Sequence, residues 1–178
     1  MFKDKKVLLA VTASIAAYKS AELVRLFKKA GAIVRVIQTD KSMQFVSPLT
    51  LSTLSENPVL SKMIDDDSGE WNNHVSLGLW ADFMVVAPLT ANTLAKMVSG
   101  ECDNLLLAVY LSAKCQVYFA PAMDLDMYKH PSTILNIKKL EEYGNILIPS
   151  GFGELASGLI GEGRMAEPQD IIDAISFD

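Results

Sequence analysis

Three short runs in this chain are apolar without alternation: Val7-Leu8-Leu9-Ala10-Val11, Phe83-Met84-Val85-Val86-Ala87 and Val117-Tyr118-Phe119-Ala120. A strand with one face in water alternates apolar and polar residues, whereas a continuous apolar run belongs to a strand covered on both faces. Strands of that kind sit in parallel sheets, and parallel neighbours need long crossovers, usually helices. The chain supplies them. From Ile15 to Ala30 the apolar residues Ala17, Ala21, Val24 and Phe27 fall at helical spacing, and Gly31 supplies a stop. Ile33-Val34-Arg35-Val36-Ile37 reads as a second strand, and Ile146-Leu147-Ile148 as a fifth, ended by Pro149. Further helices are expected over about residues 91–98, 105–111 and 132–143, and a last one from Pro168, where proline suits the first turn. The alternation predicts a three-layer open parallel α/β sheet with right-handed crossovers, in a single domain over residues 1–178.

Composition narrows the functional classes. Half of the 178 residues are apolar and mean hydropathy is +0.23, yet no stretch reaches the roughly 18 apolar residues of a membrane helix. The apolar surplus therefore points to subunit interfaces. A net charge of −5 argues against nucleic acid as a partner. Met1 to Lys6 lacks the apolar core of a secretion signal, and Cys102 and Cys115 are too few for a disulfide framework. A cytoplasmic protein with reduced thiols is expected. With two histidines and no Cys-x-x-Cys spacing, no metal site is expected. Asp65-Asp66-Asp67-Ser68-Gly69 reads as a solvated loop. The Gly-rich stretch from Ser150 to Arg164 lacks periodicity and reads as a functional lid or a disordered loop.

Candidate chemistry gathers where the strands end, the edge at which open α/β sheets bind ligands. The first strand-to-helix turn, Thr12-Ala13-Ser14-Ile15-Ala16-Ala17-Tyr18-Lys19, holds none of the glycines of a dinucleotide fingerprint. Its hydroxyls suit either a single phosphate at a helix start or simple capping by Ser14. Thr39-Asp40-Lys41-Ser42 fits a monophosphate or an ordinary Asx turn. Ala87-Pro88-Leu89-Thr90-Ala91-Asn92-Thr93 and Gly100-Glu101-Cys102-Asp103-Asn104-Leu105 put amides and hydroxyls on neighbouring loops, as a flavin ring and ribityl chain require; Thr90 and Asp103 are equally plausible helix caps. Pro121-Ala122-Met123-Asp124-Leu125-Asp126-Met127-Tyr128 sets acidic groups among soft, flat apolar side chains, a lining suited to a flavin and a small acid.

Taken together, these segments resemble the homo-oligomeric flavin-containing cysteine decarboxylases, most of all the phosphopantothenoylcysteine decarboxylase domain of coenzyme A synthesis. The resemblance spans nearly the whole chain in the family's order. It runs through Ile15 to Lys19, Ala87 to Thr93, Cys102 to Leu106, Pro121 to Tyr128, Ala156-Ser157-Gly158 and Gly161-Glu162-Gly163-Arg164-Met165. It implies a Rossmann-like (flavodoxin-like) fold and FMN held by Ala13, Ser14, Ile15, Thr39, Leu89, Thr90, Ala91, Asn92 and Ala122. It also implies His74, Asp124 and Ser157 as catalytic residues, and substrate contacts from Asp124, Glu154, Ala156, Arg164 and Met165, with residues 150–164 as a closing clamp. Family members assemble as trimers or dodecamers of trimers with FMN at the subunit interface. In many bacteria the domain is fused to a phosphopantothenate-cysteine ligase.

The implied reaction converts 4′-phosphopantothenoylcysteine to 4′-phosphopantetheine and CO2. Loss of CO2 from a cysteine carboxylate needs an electron sink, which a thioaldehyde at the β carbon provides; the enethiolate left behind is then reduced, with a flavin taking up the electrons in the first step and returning them in the last. His74 suits the thiol step because imidazole titrates near neutral pH. Two residues depart from the family pattern. Asp124 stands where an asparagine is usual, so it must be protonated, turned away, or bridged by a donor such as Arg164. Ser157 stands where coenzyme A pathway members have a cysteine that protonates the enethiolate, and a hydroxyl is a far weaker acid than a thiol. It marks either a changed product or a lineage variant with the same product, and the clamp resembles the coenzyme A type. Other readings are oxidative decarboxylation of a peptide's C-terminal cysteine, a flavin prenyltransferase, and a non-catalytic flavin-bearing regulatory subunit that binds a phosphatase. Regulatory subunits of that sort usually carry long acidic extensions, which this chain does not show.

Overall fold

A computed structural model describes residues 2–64 and 71–176; the acidic segment Asp65 to Gly69 lies outside the described residues. Lys6–Val11 forms β1, Ile33–Gln38 β2, Val59–Leu60 β3, Phe83–Leu89 β4, Gln116–Pro121 β5 and Ile146–Leu147 β6. They make one six-stranded sheet in the order β3-β2-β1-β4-β5-β6, with every pair parallel. The two halves of the chain diverge from β1 and β4, and the crevice at such a reversal is where ligands bind.

Alternation sends each strand's residues to opposite faces, and both faces are covered. Leu9, Val11, Val34, Val36, Phe83 and Val85 pack on one side. Helices α1 (Lys19–Lys29), α2 (Pro48–Ser55) and α8 (Pro168–Ala174) accompany that side, with Leu23, Val24, Phe27, Leu51 and Ile171 in the same cluster. Leu8, Ala10, Ile37, Met84, Val86 and Phe119 pack on the other, with α3 (His74–Trp80), α4 (Ala91–Ser99), α5 (Leu105–Ser112) and α7 (Pro131–Glu142). Helix α5 is buried from Leu105 to Val109, as expected of a helix that is apolar all round. Phe2, Phe27 and Phe83 form a ring cluster, with an edge-on contact of 5.4 Å between the first two. Each fully buried aliphatic or aromatic chain contributes about 1.5–3 kcal/mol, so this double core sets the strand ends rigidly.

Four features differ from the sequence expectations. The first predicted helix begins as a 3-10 turn over Ile15–Tyr18, and α1 proper starts at Lys19. The edge strand β3 and the helices α2 and α3 add to the expected set. A five-residue helix, α6, spans Leu125–Lys129 with Asp124 as its cap. The expected lid is an ordered antiparallel hairpin of β7 (Gly151–Glu154) and β8 (Ile160–Arg164).

Candidate active site

Four strand ends build the site. At the end of β1 the buried Thr12 hydroxyl donates to the carbonyl of Pro88 at 2.7 Å and accepts the Thr90 N–H at 3.1 Å. One side chain thus ties the turn after β1 to the turn after β4. Ser14 caps the 3-10 turn, its Oγ accepting the Ala16 N–H at 3.2 Å. Thr90 caps α4 through the Thr93 N–H at 3.4 Å. Asn104, rather than the expected Asp103, caps α5 by accepting the Leu107 N–H at 3.0 Å. Asp103 instead pairs with Lys96, and that hydrogen bond raises the Lys96 pKa above its ordinary value. Beyond β5, the Ala122 N–H reaches the Leu89 carbonyl at 3.0 Å, joining the ends of β4 and β5.

Two cavities open on this edge. The larger, about 870 Å³, is lined by Ala13, Ser14, Thr39, Thr90, Ala91, Asn92, Asn104 and Ala122, with Lys41 and Lys96 at its wall. The smaller, about 510 Å³, is lined by Ile15, Lys19, Asp124, Glu154, Ala156, Arg164 and Met165. Ser14, Ala122 and Met123 line both, so the two spaces adjoin. Both volumes fall in the usual range of small-ligand sites.

This arrangement sorts the residues singled out from the sequence. Ala13, Ser14, Thr39, Thr90, Ala91, Asn92 and Ala122 share the larger cavity. Ile15 faces the smaller one, and Leu89 is fully buried within the sheet. Asp124, Glu154, Ala156, Arg164 and Met165 come together on the smaller cavity. Asp124 is turned to its own backbone, Oδ1 accepting the Leu125 N–H at 2.7 Å, while Arg164 donates to Glu167 at 3.0 Å. Ser157 lies outside both linings, exposed at the hairpin turn, with its Oγ 3.5 Å from the Leu159 N–H. His74 begins α3 and also lines neither cavity. Its ring meets Trp71 edge-on at 5.7 Å, and its Nδ1 is buried without a hydrogen-bond partner.

Sequence reasoning missed Lys19, which lines the smaller cavity, and its partner Glu167, which lies behind it. Lys19 is buried, and its Nζ donates to the Met165 carbonyl at 3.0 Å and to Glu167 Oε1 at 2.9 Å. That contact, with Arg164 adding to it, holds the Glu167 carboxyl below its ordinary pKa. One signal was available: a lysine opening a helix stands against the helix dipole and needs a reason to be there.

The larger cavity suits a flavin mononucleotide. Thr39 Oγ1 is buried on its wall without any hydrogen-bond partner, a costly state that an oxygen-rich ligand relieves. The surrounding hydroxyls and amides of Ser14, Thr90, Asn92 and Asn104 match a ribityl chain and ring edge. Among the described residues no helix is long and apolar enough to cross a membrane, and no group of three or more His, Cys, Asp or Glu could hold a metal.

The family model described as Flavoprotein matches residues 1–177. The chain belongs to the flavoprotein family. Three relatives of this flavoprotein illustrate the likeness. A cysteine/cysteine sulfinic acid decarboxylase from an unknown prokaryotic organism is 56% identical over 133 residues, 74% of this chain and 37% of that protein. The chain thus spans little over a third of that relative's length. A probable phosphopantothenoylcysteine decarboxylase of Streptococcus mutans is 42% identical over 173 residues, 96% of this chain and 97% of that one. Among solved structures, a cysteine-to-serine mutant of PPC decarboxylase complexed with pantothenoylaminoethenethiol shares 37% identity and a TM-score of 0.85, covering 96% of each chain.

Proposed function

We propose that this flavoprotein is an FMN-dependent carboxy-lyase acting on a cysteine-derived carboxylate, with 4′-phosphopantothenoylcysteine as substrate and 4′-phosphopantetheine and CO2 as products. The observation that carries this reading is the junction of the two cavities at Ser14, Ala122 and Met123. A flavin-sized space opens there onto an acid-and-base-lined space large enough for a substrate with a pantothenoyl arm. The named relatives act on, or are complexed with, molecules of this class.

Ser14, Thr39, Thr90, Asn92 and Asn104 would hold FMN, with the Thr39 hydroxyl meeting its missing partner. Bound there, FMN supplies an acceptor and later a donor of two electrons, without which the cysteine carboxylate has no route to CO2. The chain itself has four tasks. Met123 and Met165 keep water from the reacting carbon, and Ala156 leaves room beside them. Lys19 and Arg164 supply positive charge to a substrate with two anionic groups, a carboxylate and a phosphate. His74 takes the thiol proton, its buried Nδ1 having no hydrogen-bond partner among the described residues. Because His74 lines neither cavity of its own chain, we assign it to the site of a neighbouring copy, in keeping with assembly as trimers with FMN between subunits. Ser157, on the exposed hairpin turn, marks a lineage variant with the same product.

Incubating the yellow holoprotein with 4′-phosphopantothenoylcysteine should release CO2 and yield 4′-phosphopantetheine by mass spectrometry. No CO2 would sink the reading. A second outcome has its own support in the exposed position of Ser157: a product two hydrogens lighter, the enethiol, with the flavin left reduced. That result would assign oxidative decarboxylation instead.

A further inference from the structure

The hairpin of β7 and β8 covers the smaller cavity and is attached at two places. At one, the Met123 N–H donates to the Gly163 carbonyl at 3.0 Å. At the other, a single carboxylate oxygen, Glu167 Oε1, accepts from two cations on two elements. Lys19 Nζ reaches it from α1 at 2.9 Å, and Arg164 Nη2 from the end of β8 at 3.0 Å. The Lys19 side chain is 5% exposed, and among the described residues Glu167 is its one acidic partner. Its other bond is to the carbonyl of Met165, the residue that follows β8.

Without that carboxylate, the Lys19 ammonium keeps a single carbonyl in a nearly dry setting, and a buried charge stripped of its partner is costly. Arg164, on the same cavity wall, loses its anchor too. Only the Lys19 bond to the Met165 carbonyl and the packing of Met165 then hold the end of β8 against α1.

We propose that Glu167 is a positioning residue for the reaction: by bridging Lys19 and Arg164 it fixes the β7–β8 hairpin in the closed arrangement over the smaller cavity. Glu167 itself lines a separate crevice behind the hairpin, with Phe152 and Asp170, and not the cavity. It therefore acts through the two cations. Apparent substrate affinity falls in proportion to the fraction of molecules whose hairpin is closed.

The kinetic arm of this inference rests on the decarboxylase reading; its structural arm does not. In the holoprotein, Glu167→Gln keeps the shape and removes the charge, and Glu167→Asp keeps the charge. For Glu167→Gln we expect KM to rise about tenfold with kcat within about twofold, the loss of one charge-assisted contact. Amide hydrogen exchange should quicken over residues 151–164 and stay unchanged in the central strands, with the flavin spectrum retained. Glu167→Asp should fall between wild type and Glu167→Gln in both measurements. Wild-type exchange over 151–164 in Glu167→Gln overturns the proposal. So does faster exchange throughout the chain in both variants, which would make Glu167 a general stabiliser. If wild type releases no CO2, the activity reading fails while the exchange comparison still decides this one.

Discussion

Thr39 and Asp124 show how one atom's partners set what a residue can do. Thr39 Oγ1 is buried and unpartnered on the larger cavity, so the protein carries that desolvation cost until a ligand with acceptor or donor oxygens arrives. Thr39→Val should leave the apoprotein's thermal midpoint unchanged or raised, because the orphaned hydroxyl is gone. The same change should weaken FMN binding about tenfold, the worth of a hydrogen bond to a charged group. Flavin fluorescence titration beside a melting curve checks both, and equal FMN affinity would remove Thr39 from the site. Asp124 is a different case. Its carboxylate caps α6 through the Leu125 N–H while lying on the cavity assigned to an anionic substrate. Asn can cap as well and adds a donor. Asp124→Asn should therefore preserve stability and lower KM about fivefold, roughly the 1 kcal/mol that two like charges about 4 Å apart cost in water. A higher KM with unchanged melting would show instead that the acid itself is used.

At the scale of elements, the hairpin is where local geometry and function meet. Strand β8 buries Gly161 and Gly163 and exposes Ile160, Glu162 and Arg164. A Cβ on Gly163, at φ +133°, would stand 2.3 Å from the Met123 carbonyl oxygen; on Gly161 it would stand 2.4 Å from Leu125 Cδ1. The strand lies against the loop before α6 because these two positions have no side chain. Gly163→Ala should cost more than tenfold in kcat/KM with the flavin still bound. Gly153→Ala, whose Cβ would meet only the Arg164 side chain at 3.5 Å, should be tolerated. Equal losses in the two variants would separate β8 from the closing of the cavity. The same glycines explain why the hairpin was not legible in the sequence. Its inward positions carry no apolar signal, so the period of two that betrays a strand is missing. Strands β1, β2, β4 and β5 were legible because burial on both faces writes itself as continuous apolar runs. Strand β3 was not, since two residues make no pattern. In α3, Val75, Leu77 and Leu79 fall at a strand's spacing, and two of the three are exposed. The residues of the two cavities were legible as a set because they sit at the ends of the strands that could be read. Lys19 and Glu167 were not, because their pairing joins positions 148 apart in the chain.

At the scale of the whole molecule, the surface carries apolar residues that a lone chain has no use for. Leu49, Leu79, Leu135 and Ile160 are each more than half exposed. His74, the residue assigned to the proton step, lines neither cavity of its own chain and keeps a buried, unpartnered Nδ1. Assembly accounts for both, if copies meet so that one chain's His74 completes another's site. In that arrangement each site draws His74 from one chain and Arg164 from its neighbour. His74→Asn and Arg164→Glu, which reverses the charge offered to the substrate, should then each abolish CO2 release as pure assemblies while retaining flavin. Dissociating and reassociating an equal mixture should restore activity, because some sites receive both intact residues. With random mixing in a closed cyclic oligomer, about a quarter of the sites are whole, so about a quarter of the wild-type rate should return. If His74 instead serves its own chain's cavity, every site in the mixture carries one defect and the rate stays at the level of the pure variants.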